Sequence, residues 1–308
     1  MNRQRRLAEL ILSAPSILWL LTFFVVPTSI IFIIAFRDIT PTGVIGSNWT
    51  LENFISIFTI SDYSGIIWRT VWLSAAATVL SLVLAVPVAY FMARTSSTLR
   101  KWLLLLVIVP FWINFLVRVL AWMILLDNNG LLMDMINFFG LSEMGAALGL
   151  VSKYERGDQI IYSLNIMRTP LAVLIVMLYT ELPFAILPIY AAAEKFDFSL
   201  LDAARDLGAT SFKAFCKVFL PGIRRGLRNA SLIVLIPCLG SYVIPELVGG
   251  MNSAMIGTKI TNAVLNESNL PRGSAFASVL LAFVMAILFV VLYRQYYLQR
   301  RDRKTERL

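Results

Sequence analysis

Six apolar segments, each long enough to cross a membrane, constrain the fold of this chain more than any other feature. A helix needs about 20 mostly apolar residues to span the hydrocarbon core, where it must satisfy its own backbone hydrogen bonds. The sequence therefore predicts an all-α membrane protein, with residues 1–308 forming a single transmembrane domain. The predicted spans are approximately 16–36, 66–93, 102–126, 170–193, 230–248 and 275–297.

The basic residues predict how these spans are oriented. The chain has 27 Lys and Arg against 18 Asp and Glu, a formal net charge of +9. Most of the basic residues lie at the N-terminus, in 94–101, in 195–228 and in the tail from Arg294 onward, which the six spans place on one side of the membrane. The positive-inside rule puts both termini and 195–228 in the cytoplasm of a multi-pass protein. Topology and contact with anionic lipid then explain the charge, so we expect no nucleic acid partner.

The residue types that are missing argue against an enzyme. Without a single histidine, the chain lacks histidine metal ligands and the commonest general base, and it has no phosphate-binding G-x-x-x-x-G-K-[ST] loop. A membrane-embedded enzyme would have to use Asp127, Glu181 or Glu246, and no metal-ligand cluster accompanies them. We therefore expect neither a metal nor a cofactor bound by this chain.

Residues 199–221 form a charged segment between the fourth and fifth spans. Ser199 can cap a short helix, and Gly208 can end it, since glycine readily adopts the positive φ that such an end requires. A second helix can begin near Thr210 or Ser211 and stop at Leu220-Pro221, because proline removes a backbone donor. The first helix would present an apolar face that needs a partner. That face consists of Leu200, Leu201, Ala203, Ala204 and Leu207.

The same segment resembles the signature of permeases from binding-protein-dependent ABC importers, which is E-A-A, three residues, Gly, nine residues and I-x-L-P. This chain has Asp202-Ala203-Ala204, then Gly208, then Val218-Phe219-Leu220-Pro221 at that spacing, with Asp202 replacing Glu and Val218 replacing Ile. An amphipathic helix pair on the membrane surface is the alternative, and it explains the apolar face without the spacing.

The resemblance implies a type I ABC importer permease fold, with 199–221 as a cytoplasmic coupling helix segment that docks onto an ATPase. It also implies ABC ATPase subunits that bind ATP and Mg, a second permease subunit and a periplasmic or extracellular solute-binding protein. The chain would then lie in the inner (cytoplasmic) membrane and carry no ATPase site of its own.

Other segments resemble the permeases for spermidine and putrescine. They are WTLENF before the second span, PFWINFLVRVLAW in the third, ELPFAILPIY in the fourth and SYVIPELVGG in the fifth. The resemblance implies transport of polyamines. Permeases for another organic cation, an amino-acid derivative or a phosphonate remain alternatives, as does a secondary transporter, which would not need the coupling signature.

A polyamine path needs carboxylates along an aromatic-lined route, because cation–π contacts help to replace lost water. The candidate carboxylates are Glu181 in the fourth span, Glu246 near the outer end of the fifth and Asp127 at the outer end of the third. Trp122 and Tyr242 lie beside two of them. All five side chains could line one vestibule that opens to the outside.

Each of these candidates also has a structural interpretation. Arg118, within the third predicted span, could form an ion pair with Glu181 or Glu246. Asp127 could be an ordinary turn residue, and Trp122 and Tyr242 could be membrane-interface aromatics.

Overall fold

The computed structural model describes residues 3–40, 43–128, 130–156 and 159–305, so the predicted domain 1–308 extends beyond the described residues at both ends. Two compact units make up the chain. One consists of Met1–Gly65 with Lys259–Leu308, and the other of Ile66–Thr258.

Helices account for most of the described residues. In chain order they are α1 (Arg3–Leu20), α2 (Val26–Ala35), α3 (Glu52–Thr59), α4 (Ser61–Arg94), α5 (Ser97–Ile108), α6 (Phe115–Leu126), α7 (Leu131–Phe138), α8 (Ser142–Ala147), α9 (Pro170–Ala193), α10 (Ser199–Asp206), α11 (Ser211–Ala214), α12 (Leu220–Gly222), α13 (Arg224–Leu239), α14 (Val243–Val248), α15 (Ile256–Thr261) and α16 (Leu270–Thr305).

Four helical stretches among the described residues are long and apolar enough to cross a membrane. They are Leu12–Ala35, Asp62–Arg94, Pro170–Ala193 and Leu270–Arg294. These stretches overlap the first, second, fourth and sixth predicted spans. In the first stretch, a π-helical turn at Leu21–Val25 separates α1 from α2 directly before Pro27.

The third predicted span is not one continuous helix, which corrects the sequence interpretation of 102–126. Its halves, Ser97–Trp112 and Phe115–Leu126, are bent by 91°. Pro110 lies in a 3₁₀ turn at the end of the first half. The Asn114 side chain then accepts a hydrogen bond of 2.8 Å from the Leu116 N–H and so begins a new helix. Counted as one crossing, this pair would be a fifth candidate span.

The fifth predicted span also differs from expectation. Helix α13 begins at Arg224, well before residue 230, and ends at Leu239, and α14 resumes at Val243. The break therefore lies before Pro245. Pro245 occupies the first turn of α14, where a missing N–H removes no intrahelical hydrogen bond.

Two antiparallel hairpins were missed by the all-α prediction. Strands β1 (Arg37–Ile39) and β2 (Ile45–Trp49) form one, and β3 (Val151–Arg156) and β4 (Gln159–Leu164) form the other. Both hairpins lie outside the candidate spans, in segments with β-branched and aromatic residues, which favour strands. The short helices α3 and α7 also lie outside the candidate spans.

In the unit that contains the chain ends, α16 packs against α2 and α3. Lys259 Nζ donates a hydrogen bond of 2.5 Å to Glu267 Oε1, and Arg272 Nη1 donates one of 3.4 Å to Glu267 Oε2. The hydrogen bond from Lys259 holds the pKa of Glu267 below its ordinary value. The Tyr63 ring lies 5.3 Å from Lys259 Nζ and meets Phe276 edge-on at 5.1 Å.

In the other unit, α9 packs closely against α13 because small residues face each other. A Cβ built on Gly226 would lie 2.4 Å from the Ala192 Cβ and 3.0 Å from the Pro188 carbonyl oxygen. Glycine at this point lets the two backbones approach, as is common between membrane helices. This helix pair flanks the charged segment 199–221 in the sequence.

We expect Gly226→Ala to destabilise the protein. Alanine would favour the helix by about 1 kcal/mol, but overpacking a close contact costs about 1–3 kcal/mol, so the clash should dominate. The control is Gly240→Ala, whose Cβ would meet its nearest neighbour at 3.9 Å. The measurement is the thermal midpoint in detergent, where each kcal/mol corresponds to about 2–4 °C. Equal midpoints for both variants would contradict the close packing of α9 on α13.

Candidate functional site

The charged segment 199–221 forms three short helices. Helix α10 is followed by Gly208 and then by α11, which continues into a π-helical turn at Phe215–Phe219 and into α12. Helix α10 contacts the π-helical turn, so the segment folds back on itself.

The start of α10 differs from the predicted cap. Ser199 is the first helical residue rather than the N-cap, and Phe198, at the N-cap position, makes no side-chain capping bond. The Asp197 side chain supplies the capping bond instead, since its Oδ1 accepts a hydrogen bond of 3.0 Å from the Ser199 N–H. Hydrogen bonding to Ser199 holds the pKa of Asp197 below its ordinary value. The predicted start of the second helix is confirmed, with Thr210 accepting from the Lys213 N–H.

The end of α10 is confirmed as a glycine end. Gly208 has a φ of 85°, in the left-handed region that favours glycine. The Gly208 N–H donates to the Arg205 carbonyl at 2.8 Å, and the Ala209 N–H donates to the Ala204 carbonyl at 3.0 Å. This pair of bonds is a Schellman motif, which satisfies two carbonyls at the end of the helix.

Pro221 does not stop the second helix, contrary to the prediction. The helix widens into the π-helical turn at Phe215–Phe219 and continues through α12 to Gly222. The Ile223 N–H still donates to the Phe219 carbonyl at 3.0 Å, so the turn closes around the proline.

The apolar face predicted for α10 is divided between two surroundings. Leu201 is only 2% exposed and packs inward with Ala204, whereas Leu200 and Ala203 are exposed and Leu207 is 90% exposed. The three exposed positions recur at helical spacing and form one stripe. Phe212 of α11 is 76% exposed.

The signature residues lie mostly at the surface of the segment. Asp202, Ala203, Gly208 and Pro221 are exposed, and Ala204 and Leu220 are half-buried. Asp202 Oδ1 accepts a bond of 3.4 Å from Arg205 Nη1, one turn further along the same helix. The segment therefore presents apolar side chains among charged ones on a surface that none of the described residues covers.

One cavity lies among the residues predicted for the transport path. It has a volume of about 370 Å³, and Arg118, Trp122 and Tyr179 are among its lining residues. The Trp122 and Tyr179 rings meet edge-on with their centroids 5.4 Å apart. Tyr179 was missed by the sequence interpretation, although it lies two residues before Glu181 in an otherwise aliphatic stretch.

Glu181 lies on α9, outside the lining of this cavity. Its Oε2 is buried and has no hydrogen-bond partner among the described residues. No ion pair within 4.0 Å joins Arg118 to Glu181 or Glu246 in the described part of the chain. The Arg118 guanidinium instead lies 5.5 Å from the Phe111 ring and 5.9 Å from the Phe115 ring.

The remaining path residues are exposed at other positions. Glu246 lies in the first turn of α14, and the exposed Tyr242 is the N-cap residue of this helix. Helix α14 packs against α6 and α9. Asp127 follows the end of α6, where its carbonyl accepts a bond of 2.9 Å from the Gly130 N–H and forms a turn. Glu246, Tyr242 and Asp127 do not line the cavity. Of the five residues predicted for the transport path, only Trp122 lines it.

Comparison with known proteins agrees with this combination of spans and an exposed charged segment. A spermidine/putrescine transport system permease protein from Haemophilus influenzae is 34% identical over 283 residues, covering 90% of each chain. The fold is similar to that of a bacterial ABC transporter involved in the import of the acidic polysaccharide alginate, with a TM-score of 0.70, 18% identity and 96% of each chain covered. The alginate transporter in complex with a pentasaccharide-bound periplasmic protein matches at a TM-score of 0.65, 16% identity and 93% of each chain.

The family match covers most of the chain. Residues 85–304, which include every signature residue of the charged segment, match the inner membrane component of binding-protein-dependent transport systems. A multi-pass protein of the inner membrane follows from this match together with the apolar helices. The chain therefore belongs to the family of binding-protein-dependent transport system inner membrane components.

Proposed function

We propose that this chain is the membrane-spanning permease subunit of an ABC importer for polyamines of the spermidine and putrescine class. The observation that carries the proposal is the similarity to a spermidine/putrescine permease along 90% of both chains. The chain would move solute without hydrolysing ATP, which the partner ATPase would bind with Mg.

The helices support a type I permease with six crossings and both termini in the cytoplasm. The four long stretches would supply four crossings, the bent pair α5 and α6 a fifth, and α13 with α14 a sixth. This arrangement keeps most basic residues on the cytoplasmic side.

The partners would be two ATPase subunits, a second permease subunit and a periplasmic solute-binding protein. The stripe of Leu200, Ala203 and Leu207, together with Phe212, would dock into the ATPase, because large apolar side chains that protrude from a charged segment gain most from burial in a partner. The signature residues Asp202, Ala203, Ala204, Gly208, Leu220 and Pro221 would shape this docking segment.

Closure of the ATPase subunits would then push on the segment and switch the spans from inward-open to outward-open. The binding protein would release solute toward the cavity, where the faces of Trp122 and Tyr179 can replace part of the water around an ammonium group. The buried, unpartnered oxygen of Glu181 would accept a hydrogen bond from the passing cation.

One observation favours a second candidate solute. Arg118 is among the residues that line the cavity, and a guanidinium attracts a carboxylate and repels an ammonium group. An amino-acid derivative with both charges would place its carboxylate at Arg118 and its ammonium group toward Glu181.

Uptake into proteoliposomes containing the full complex tests the solute. We expect ATP-dependent uptake of radiolabelled spermidine or putrescine, and about 10-fold less with Glu181→Gln, because the neutral amide loses a charge-assisted hydrogen bond. Glu143→Gln in α8, an exposed carboxylate, is the control. Normal polyamine uptake by Glu181→Gln would make Glu181 structural.

Two other outcomes of the same assay would change the proposed function. ATP-dependent uptake of an amino acid without polyamine uptake would support the second candidate. Uptake that survives ATP depletion while an ion gradient persists would indicate a secondary transporter.

Docking is tested by the affinity of the ATPase for the permease in detergent. Burying a leucine side chain contributes about 1.5–3 kcal/mol, so Leu207→Ala should weaken binding by about 10-fold to 100-fold. Leu148→Ala, which also removes an exposed leucine but lies outside the segment, is the control. Unchanged affinity in Leu207→Ala would place the ATPase contact elsewhere.

The backbone of the segment is tested at Gly208. A Cβ at this position would meet nothing within 4 Å, so any effect of a substitution comes from its positive φ. We expect Gly208→Val to abolish most uptake, since β-branched residues disfavour this conformation, and Gly208→Asn to retain uptake, since asparagine tolerates it. Normal uptake with both variants would contradict a need for the Schellman end.

A further inference from the structure

Five aromatic rings join the charged segment to α4. We call them the Tyr90 cluster, which consists of Tyr90, Phe196, Phe198, Phe215 and Phe219. Tyr90, on α4, is at the centre, with ring centroids 4.9 Å from Phe219, 5.3 Å from Phe215 and 6.0 Å from Phe198. These separations and near-perpendicular ring planes are typical of attractive edge-to-face pairs.

The cluster holds both flanks of α10. Phe196 and Phe198 precede the helix, and Phe215 and Phe219 belong to the π-helical turn that follows it. The Phe196 and Phe219 centroids are 5.2 Å apart, and Phe219 is 0% exposed. The residues on both sides of α10 therefore contact the same group of rings.

Arg94, the last residue of α4, covers the cluster. Its Nη1 donates a hydrogen bond of 2.8 Å to Tyr90 Oη, and its guanidinium lies 5.6 Å from the Tyr90 ring and 5.7 Å from the Phe198 ring. The contact adds a cation–π interaction between α4 and the residues that lead into α10.

A second network ties the ends of α4 and α9 together. Arg100 Nη1 donates to Glu194 Oε1 at 3.1 Å, and Tyr190 Oη donates to the same oxygen at 2.7 Å. Arg100 Nη2 donates to the carbonyls of Ala93 and Thr95, each at 3.1 Å. The end of α4 is thus fixed to the end of α9 independently of the rings.

Glycine allows the cluster to reach the backbone on the far side of the segment. A Cβ on Gly222 would lie 2.4 Å from Phe196 Cε2, so the Phe196 ring packs directly on the backbone of α12. The ring could not occupy this place beside any larger residue without moving.

We propose that Tyr90 is a positioning residue that makes α4 move with the charged segment when an ATPase displaces it. This inference depends on the docking proposed above and adds the route by which the displacement reaches the spans. Helix α10 is short and offers Leu201 as its one fully buried side chain among the described residues, so the rings on its flanks are its main attachment.

The test measures solute transported per ATP hydrolysed by the full complex in proteoliposomes, together with co-purification of the ATPase. In Tyr90→Ala the ATPase should remain bound and hydrolyse ATP, while the transport ratio falls by about 10-fold, because three ring pairs are lost. Tyr90→Phe keeps the ring and loses only the hydroxyl contact with Arg94, so it should retain the wild-type ratio.

Two further variants separate this role from general stability. Met133→Ala in α7 removes a side chain that is 2% exposed and lies outside the cluster, so its ratio should stay normal. Phe198→Leu keeps apolar bulk and removes a ring, so it should lower the ratio even if Tyr90→Ala fails to insert.

Three results would overturn the proposal for Tyr90. They are a normal ratio in Phe198→Leu and Tyr90→Ala, an equal loss in Met133→Ala, and a loss in Tyr90→Phe as large as that in Tyr90→Ala. Normal co-purification of the ATPase with Leu207→Ala would instead refute the docking, and this measurement is independent of the transport ratio.

Discussion

The bilayer requires every backbone N–H and C=O within it to find a partner in the protein, and most features of this structure follow from that requirement. Long helices meet it internally, which is why the apolar runs are helical. Where the bent pair breaks, a side chain supplies a bond. The Asn114 side chain accepts from the Leu116 N–H and begins α6 after the 91° bend.

The charged segment is governed by a different constraint, because it must be accessible and firmly held at the same time. Its outer surface carries Leu207 and Phe212, which are 90% and 76% exposed. Its inner surface rests on aromatic rings from α4 and from the segment itself. The segment therefore combines an exposed apolar outer surface with a firmly packed inner one.

Hydrophobic run length and the spaced signature were sufficient to predict the membrane class, the short helix α10 and its glycine end. They could not predict the bend between α5 and α6. The length and hydropathy of an apolar run do not depend on whether one polar side chain within it caps a new helix. The hairpins were missed for a related reason, since segments between spans were interpreted only by their polarity.

The candidate path was harder to predict than the charged segment. Charge and position singled out Glu181, and the structure shows its buried Oε2, but a cavity is formed by residues far apart in sequence. Tyr179 carries no charge and belongs to no spaced motif, so its place beside Trp122 depends on how α6 packs on α9. The Tyr90 cluster could not be predicted from the sequence for the same reason.

The close contact between Gly226 and Ala192 has a consequence for how such a chain can diverge. The segment 199–221 leaves one member of a tightly packed helix pair and returns to the other, so its two ends are held at a constant separation. Its exposed side chains can therefore change without altering how α9 packs on α13. The outer surface of the segment and the helix pair that carries it can in this sense diverge independently of each other.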